Sequence, residues 1–438
     1  MKHSRNNNVI LGGGITGLSA GYVSKLPIYE ANDIAGGICT SYYMRKGEKK
    51  RLSEPPKDAE SYHFEIGGGH WIFGGDPSII QFIQNHSPFK RYSRKASIYL
   101  PEKNIFIPYP IQNNLYYLDK KSSAKVVDEI INVKVTEYKI LTMSKWLKIN
   151  FGQTLCNIFF HPFHKLYTAN LYHKIAPQDP HKSPINMKEI MNGLRGKANP
   201  AGYNTTFIYP EHGLDSLMRS LEKECNINYG KKVVKIDIKK KIIKFSDSTT
   251  IGYNKIISTL PLNKMIQMTG IKIGEEPHPS PAVLVINIGA KKGPKCPDDQ
   301  WVYIPNSNTK FHRVGFYSNI DTSFLPKSNR KKNDRTSIYV EKAYPENSKP
   351  NKKEIEEICQ KTIKELQEWG WIDEVDVYDP TWIETAYTWS WPNSSWKEKA
   401  LKELEKNGIY QIGRYGRWIF QGIADSIKDG LMVGGAFT

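Results

Sequence analysis

Val9-Ile-Leu-Gly12-Gly-Gly14-Ile-Thr16-Gly17 is the stretch on which the reading of the chain turns. Three apolar residues, two of them β-branched, have the pattern of a short strand buried on both faces of a parallel sheet. The run passes directly into a Gly-x-Gly-x-x-Gly turn. Such a turn lets the backbone approach a pyrophosphate, which then rests on the N-terminal amides of the following helix. Gly12, Gly14, Thr16 and Gly17 are therefore expected to hold a dinucleotide. A second apolar segment, Leu26 to Tyr29, ends on Glu30, whose carboxylate is placed to accept both ribose hydroxyls of an adenosine half. Only 13 positions separate Gly17 from Glu30, fewer than the usual spacing of about 20, so the first helix must be short. Gly36-Gly37 follows as a second glycine turn against the pyrophosphate.

A further piece of the same unit lies between Lys232 and Pro261. Lys232 to Ile238, Lys241 to Phe245 and Lys255 to Pro261 read as three strands, with Ser246 to Thr250 as the turn between the last two. Such a meander would cover the adenine side, where Val233 could pack on the ring. Later, Ile355, Ile358, Thr362, Ile363, Leu366 and Trp369 recur at helical spacing before Gly370, which predicts an amphipathic helix with a core face.

Composition bounds the function classes. The 438 residues are 39% hydrophobic and 12% aromatic, enough for several cores. The five cysteines (Cys39, Cys156, Cys225, Cys296, Cys359) are odd in number, far apart and free of CxxC pairs. They suggest neither a zinc site nor a disulfide framework, and a cytoplasmic setting fits. No run of 18 apolar residues occurs, so a spanning helix is excluded on length. Lys2, Arg5 and Val9 to Leu11 turn Gly-rich without the cleavage site of a signal peptide. The formal charge of +18 gathers at Lys46 to Arg51, Lys239 to Lys241 and Asn329 to Arg335. Stacking aromatics and a groove-reading motif are missing from these runs, so nucleic acid is not the expected partner. A solvated lysine-rich surface, or attraction of an anionic substrate, accounts for the charge.

Gly68-Gly-His70-Trp-Ile-Phe73, followed by Ile107-Pro-Tyr-Pro-Ile-Gln-Asn-Asn114, resembles the flavin-proximal segments of UDP-galactopyranose mutases, particularly the eukaryotic type. That family sits within the wider group of FAD-dependent amine and protoporphyrinogen oxidases. Asn204 to Pro210, Thr249 to Thr259, Trp301-Val-Tyr303 with Arg313 twelve residues beyond the tryptophan, and Gly413-Arg414-Tyr-Gly-Arg-Trp418 stand in the family's order. The resemblance implies an α/β fold. A Rossmann-like FAD-binding domain would be assembled from residues 1–112, 221–279 and 396–438, with an inserted helical domain at 113–220 and a mainly antiparallel sheet domain at 280–395. It implies an isomerase that interconverts the pyranose and furanose forms of a UDP-sugar, using reduced FAD as the nucleophile, with NAD(P)H as a candidate reductant.

The resemblance also implies roles. Gly69 and His70 would face the isoalloxazine, Arg414 would contact it from the C-terminal segment, and backbone near Gly435 would complete the cofactor site. Asn204, Trp301 and Tyr303 would line the nucleotide-sugar subsite. Arg313 would clamp the diphosphate, because a guanidinium makes two parallel charge-assisted bonds that lysine cannot copy. Trp391 and Phe420 stand where the family offers tyrosine hydroxyls to the phosphate, and each lost bond to a charged partner is worth about 1.5 to 3 kcal/mol. A second phosphate-binding cation has two candidates, Lys182 and Arg195. Two further readings therefore stay open: an FAD oxidoreductase of the amine oxidase or protoporphyrinogen oxidase type, and an FAD-binding scaffold docked on an anionic polymer. No metal-ligating set is expected, and the oligomeric state is not legible.

Overall fold

The computed structural model describes residues 7–132, 141–178, 185–197 and 205–438. Asn204 and Lys182 lie outside the described residues. Short apolar segments build a five-stranded parallel sheet in the order Ile409–Gln411, Ile256–Ser258, Val9–Leu11, Ile28–Tyr29, Ile227–Asn228. Parallel neighbours need crossover connections rather than tight turns. Its strands accordingly come from three widely separated stretches of chain. The helix that follows Leu11 is Ile15–Ser24, ten residues long, as the close spacing of Gly17 and Glu30 requires.

The meander differs from the sequence reading. Val233–Asp237, Ile242–Phe245 and Thr250–Gly252 form a three-stranded antiparallel sheet, so the end of the expected turn supplies the third strand. Ile256–Ser258 leaves the meander and pairs with Val9–Leu11 instead. Full burial of Ile256 and Ile257 decides this, since a three-residue apolar run carries no periodicity of its own.

A seven-stranded sheet runs Ile372–Ile383, Ala282–Lys292, Arg335–Tyr344, Arg313–Phe316, Trp301–Tyr303, Ala96–Leu100, Ile105–Pro108. It is antiparallel except where Trp301–Tyr303 meets Ala96–Leu100. The last two strands fall within 1–112, which the sequence reading gave to the nucleotide-binding part. Helix Lys352–Glu368 covers one face, closed at its start by a capping box between Asn351 and Glu354 and burying Cys359, Ile363 and Leu366.

The helical part contains Lys120–Ile131, Met143–Leu155, His161–Tyr167 and Met187–Leu194, with a π-helical turn at Cys156–Phe160. Its core includes Val126, Leu147, Phe151, Phe159 and Phe160. Strand Thr206–Pro210 already pairs with Phe89–Ser93, and helix Leu214–Glu222 packs against Ile15–Ser24, so the chain rejoins the part that holds the parallel sheet before residue 220. Among the described residues no helix is long and apolar enough to cross a membrane.

The hairpin Ser41–Met44 with Tyr62–Glu65 ends on a fully buried acid. Glu65 accepts hydrogen bonds from the Tyr209 hydroxyl and from Ser41 Oγ at 3.0 Å. Burial pushes its carboxyl up to about 8 despite these donors. The folded state thus keeps a proton that the unfolded chain releases near the ordinary value of 4.5. Stability is therefore expected to fall as pH rises from about 4.5 to about 8, by about 1.4 kcal/mol per unit of displaced pKa. Glu65→Gln, neutral at every pH, should flatten this slope in melting-temperature measurements across that window. An unchanged slope would overturn the assignment to Glu65.

Candidate active site

The glycine turn has the geometry that its sequence promised. Gly12 has φ +95°, and its N–H donates to Tyr29 O at 2.9 Å, tying the turn to the neighbouring strand. Gly36, at φ +106°, donates from its N–H to Gly13 O at 2.8 Å, so the second glycine turn lies against the first. Gly37 lies beside Gly14, and Gly14 itself faces open space, with no atom within 4 Å of where a Cβ would stand. Glu30 is buried and accepts from Gly13 N at 2.6 Å, Asn32 N at 2.9 Å and Asn32 Nδ2 at 3.0 Å. It braces the turn from the end of the neighbouring strand.

Helix Ile423–Gly435 lies on helix Ile15–Ser24 so closely that a Cβ on Gly430 would overlap the Thr16 carbonyl, and one on Gly434 would press on Ala20. From this helix Asp429 accepts from Gly413 N at 2.7 Å and from Arg417 Nη1 at 3.1 Å. Arg414 is thereby held between two anchored residues. The helix N-terminus, Gly422 to Asp425, opens on the cavity described next. Gly435 stands at the other end, about 18 Å away at 1.5 Å per residue. Gly434 makes the close contact there, and Gly435 faces open space. Val233 is half-buried against the core that contains Val9 and Leu11.

A cavity of about 680 Å³ lies between the seven-stranded sheet, the helical part and the C-terminal segment. It brings together Gly69, His70, Trp301, Tyr303, Arg313, Arg414 and Phe420, seven of the residues singled out from sequence. His70 Nδ1 lies 3.2 Å from Gly68 O, and burial pushes the imidazole down to about 4. The ring is therefore neutral at pH 7; a proton on Nδ1 shared with Gly68 O leaves Nε2 as an acceptor. Arg414 Nε, Trp301 Nε1 and Gln421 Oε1 are buried without a hydrogen-bond partner among the described residues.

Arg313 is not the free fork that the sequence suggested. Directly across the strand pair stands Glu341, and the guanidinium grips its carboxylate through Nε at 3.0 Å and Nη2 at 2.6 Å. Burial would raise the Glu341 carboxyl, but Arg313 and His312 hold it at about 2. Tyr387 adds its hydroxyl, 3.4 Å from Glu341 Oε2 and 3.3 Å from His312 Nε2. With Nε and Nη2 committed, Nη1 is the end of Arg313 left for a ligand.

The aromatic expectations divide. Phe420 lines the cavity, its ring 4.7 Å from the Arg414 guanidinium carbon. Trp391 is not among the lining residues. Its indole N–H donates to Pro277 O at 3.0 Å, which turns it away, and Tyr387, four residues earlier, takes the place in the wall. Arg195 is exposed beyond helix Met187–Leu194 and apart from the lining, whereas Arg94 belongs to it. Sequence reasoning passed over Arg94, Glu341, Tyr167 and Tyr387. Glu341 had a signal, being an acid in the otherwise apolar run Ile338-Tyr-Val-Glu341, where a central strand demands a partner.

No family model matches the chain. Its fold is similar to that of a crystal structure of reduced UDP-galactopyranose mutase, with a TM-score of 0.83 at 21% identity over 98% of this chain and 93% of that one. A putative protoporphyrinogen oxidase from Exiguobacterium sp. 255-15 has a TM-score of 0.69 at 15% identity, covering 99% of this chain and 98% of that one. Wild-type putrescine oxidase bound to putrescine has a TM-score of 0.58 at 12% identity, covering 98% of each. The chain thus has the mixed α/β fold shared by these three proteins, with a parallel nucleotide-type sheet beside a large, mainly antiparallel one.

Proposed function

We propose that the protein is an FAD-dependent isomerase of a nucleotide sugar, of the kind that interconverts pyranose and furanose forms of a UDP-sugar. The observation that carries this reading is the excess of guanidinium in the cavity wall, Arg94, Arg313 and Arg414 against Glu341 and Asp425. Such a wall favours an anionic substrate and disfavours the cationic amine of an amine oxidase. The likeness to a mutase structure supports the same choice.

The residues present fit FAD. Gly14 leaves room for a pyrophosphate beside the first helix, Glu30 stands where a ribose would be read, and the amides at Gly422 to Asp425 end a 13-residue helix facing the cavity. Arg414 Nε and Gln421 Oε1, buried and unpartnered, suit the polar edge of a flavin ring. When bound and reduced, FAD supplies the nucleophile for the sugar's anomeric carbon. Arg414 and the Nη1 end of Arg313 neutralise charge on the departing diphosphate. His70 offers Nε2 as an acceptor to a hydroxyl or a ring N–H. Trp71, Phe73 and Trp301 keep water from that end of the cavity. Glu341 aims Arg313 and offsets one of the wall's three cationic charges.

The direct test is conversion of UDP-galactofuranose to its pyranose isomer by dithionite-reduced protein, with oxidised protein as control. Conversion without consumption of an electron acceptor supports the reading; substrate-dependent acceptor consumption with no isomer formed moves the assignment to an oxidase. Gly14→Val should leave the fold intact, since φ −70° and the empty surroundings accept a side chain, yet abolish flavin absorbance. Retained FAD in that variant would remove the turn from the cofactor site.

Glu341→Gln should destabilise the protein by roughly 3 kcal/mol at pH 7, because it leaves a largely buried guanidinium unpaired. Glu341 contributes above its ordinary value of 4.5 and its contribution is lost as pH falls towards about 2, so the gap to wild type should close over that interval. Denaturant titrations at several pH values measure it; a gap constant with pH contradicts the pairing.

A further inference from the structure

The lysine run Lys239 to Lys241 belongs to the antiparallel sheet of Val233–Asp237, Ile242–Phe245 and Thr250–Gly252, outside the cavity. Side chains alternate between the two faces of a strand. Ile236, Ile243 and Phe245 point inward and join the core that contains Val9 and Leu11. Lys235, Lys244 and Thr250 lie in one row across the opposite face, all three exposed. A shift of register between Val233 and Lys235 leaves Val234 exposed next to Lys235.

The charge on this face is unbalanced. Residues 231–250 hold seven lysines, two aspartates and no arginine. Lys231 pairs with Asp247 at 2.6 Å, and Lys241 Nζ donates to Asn407 O at 2.7 Å. Asp237 accepts from the backbone amides of Lys239 and Lys240 at 3.1 and 2.9 Å, which commits its Oδ1 to the turn. Lys232, Lys235, Lys239, Lys240 and Lys244 remain, all exposed and none of them ion-paired with a described residue. Lys235 stands directly opposite Lys244 in the ladder. Like charges so placed destabilise a strand pair, and an anionic surface laid against them relieves the repulsion.

We propose that the outer face of this meander docks on a bilayer surface bearing anionic headgroups. Three features select that partner. The cations are all lysine, compact point charges without the planar fork that reads a phosphate bidentately, which suits a diffuse anionic surface. No aromatic side chain of the described residues stands on the face to stack a base. Val234 and the half-buried Ile242 add apolar surface among the lysines, suited to the headgroup boundary. The docking face stands whether or not the cavity takes a nucleotide sugar.

Co-sedimentation of the intact chain with vesicles of phosphatidylcholine alone, and of phosphatidylcholine with a quarter phosphatidylserine, provides the test. Binding is expected to the anionic vesicles only, and it should weaken as salt rises. Lys235→Gln/Lys244→Gln should weaken it about tenfold or more, with a melting temperature no lower than that of wild type, because the cross-strand repulsion is removed. Lys352→Gln/Lys353→Gln, an equal change of net charge on helix Lys352–Glu368, should bind as wild type does. Failure of wild type to bind the anionic vesicles overturns the proposal. So does an equal loss in both double variants, which would leave overall charge as the cause. Retention of a DNA duplex in place of the vesicles overturns it in favour of nucleic acid.

Discussion

Two helices that meet backbone to backbone hold this molecule in its working form. Gly430 and Gly434 bring the C-terminal helix against Thr16 and Ala20 of the first helix, closer than any side chain would permit. The contact is short-range packing against the backbone of the first helix, and it is lost steeply with separation. Because Asp429 lies on the same helix and fixes Gly413 and Arg417, this packing decides where Arg414 stands. It also points the free amides of the helix start towards the cavity, within the same structure that closes the glycine turn. A chain whose first and last segments are joined in this way can place cofactor-type and substrate-type groups on opposite sides of one space.

The second organising element is the strand register that sets Arg313 opposite Glu341. A charged pair in the middle of a sheet is costly to bury and gains little over an apolar pair. Its value is orientation: one end of a planar fork is committed and the other is left pointing in a defined direction. His312 and Tyr387 extend the arrangement, so the wall is held by hydrogen bonds as well as by packing.

The parts legible in the sequence were those whose chemistry is local. Gly12 to Gly17, Glu30 and Gly36-Gly37 announce a turn by residue type and spacing, and the structure forms it from those residues. The amphipathic pattern from Ile355 to Trp369 likewise gave its helix. What could not be read depends on contacts distant in the chain. Ile256 to Ser258 is apolar whether it continues a meander or joins the parallel sheet, and Val9 decides the matter from 247 residues away. Trp391 and Tyr387 are both aromatic and four positions apart, and their partners tell them apart: Pro277 for the Trp391 indole, Glu341 and His312 for the Tyr387 hydroxyl. Arg313 carried a visible signal for anion binding, but its partner Glu341 is set by cross-strand register, which residue spacing does not encode.

The π-helical turn at Cys156–Phe160 has a consequence for how such a chain can change over time. A turn of this kind contains one residue more than an α-helical turn requires. Loss of that residue would preserve the helix but rotate everything after it by about 100°, carrying Phe163 and Tyr167 off the cavity face in a single step. Substitutions in the segment can therefore accumulate gradually, whereas changes of length cannot, and descendants of this chain with altered cavities are expected to differ here in residue type while conserving residue number.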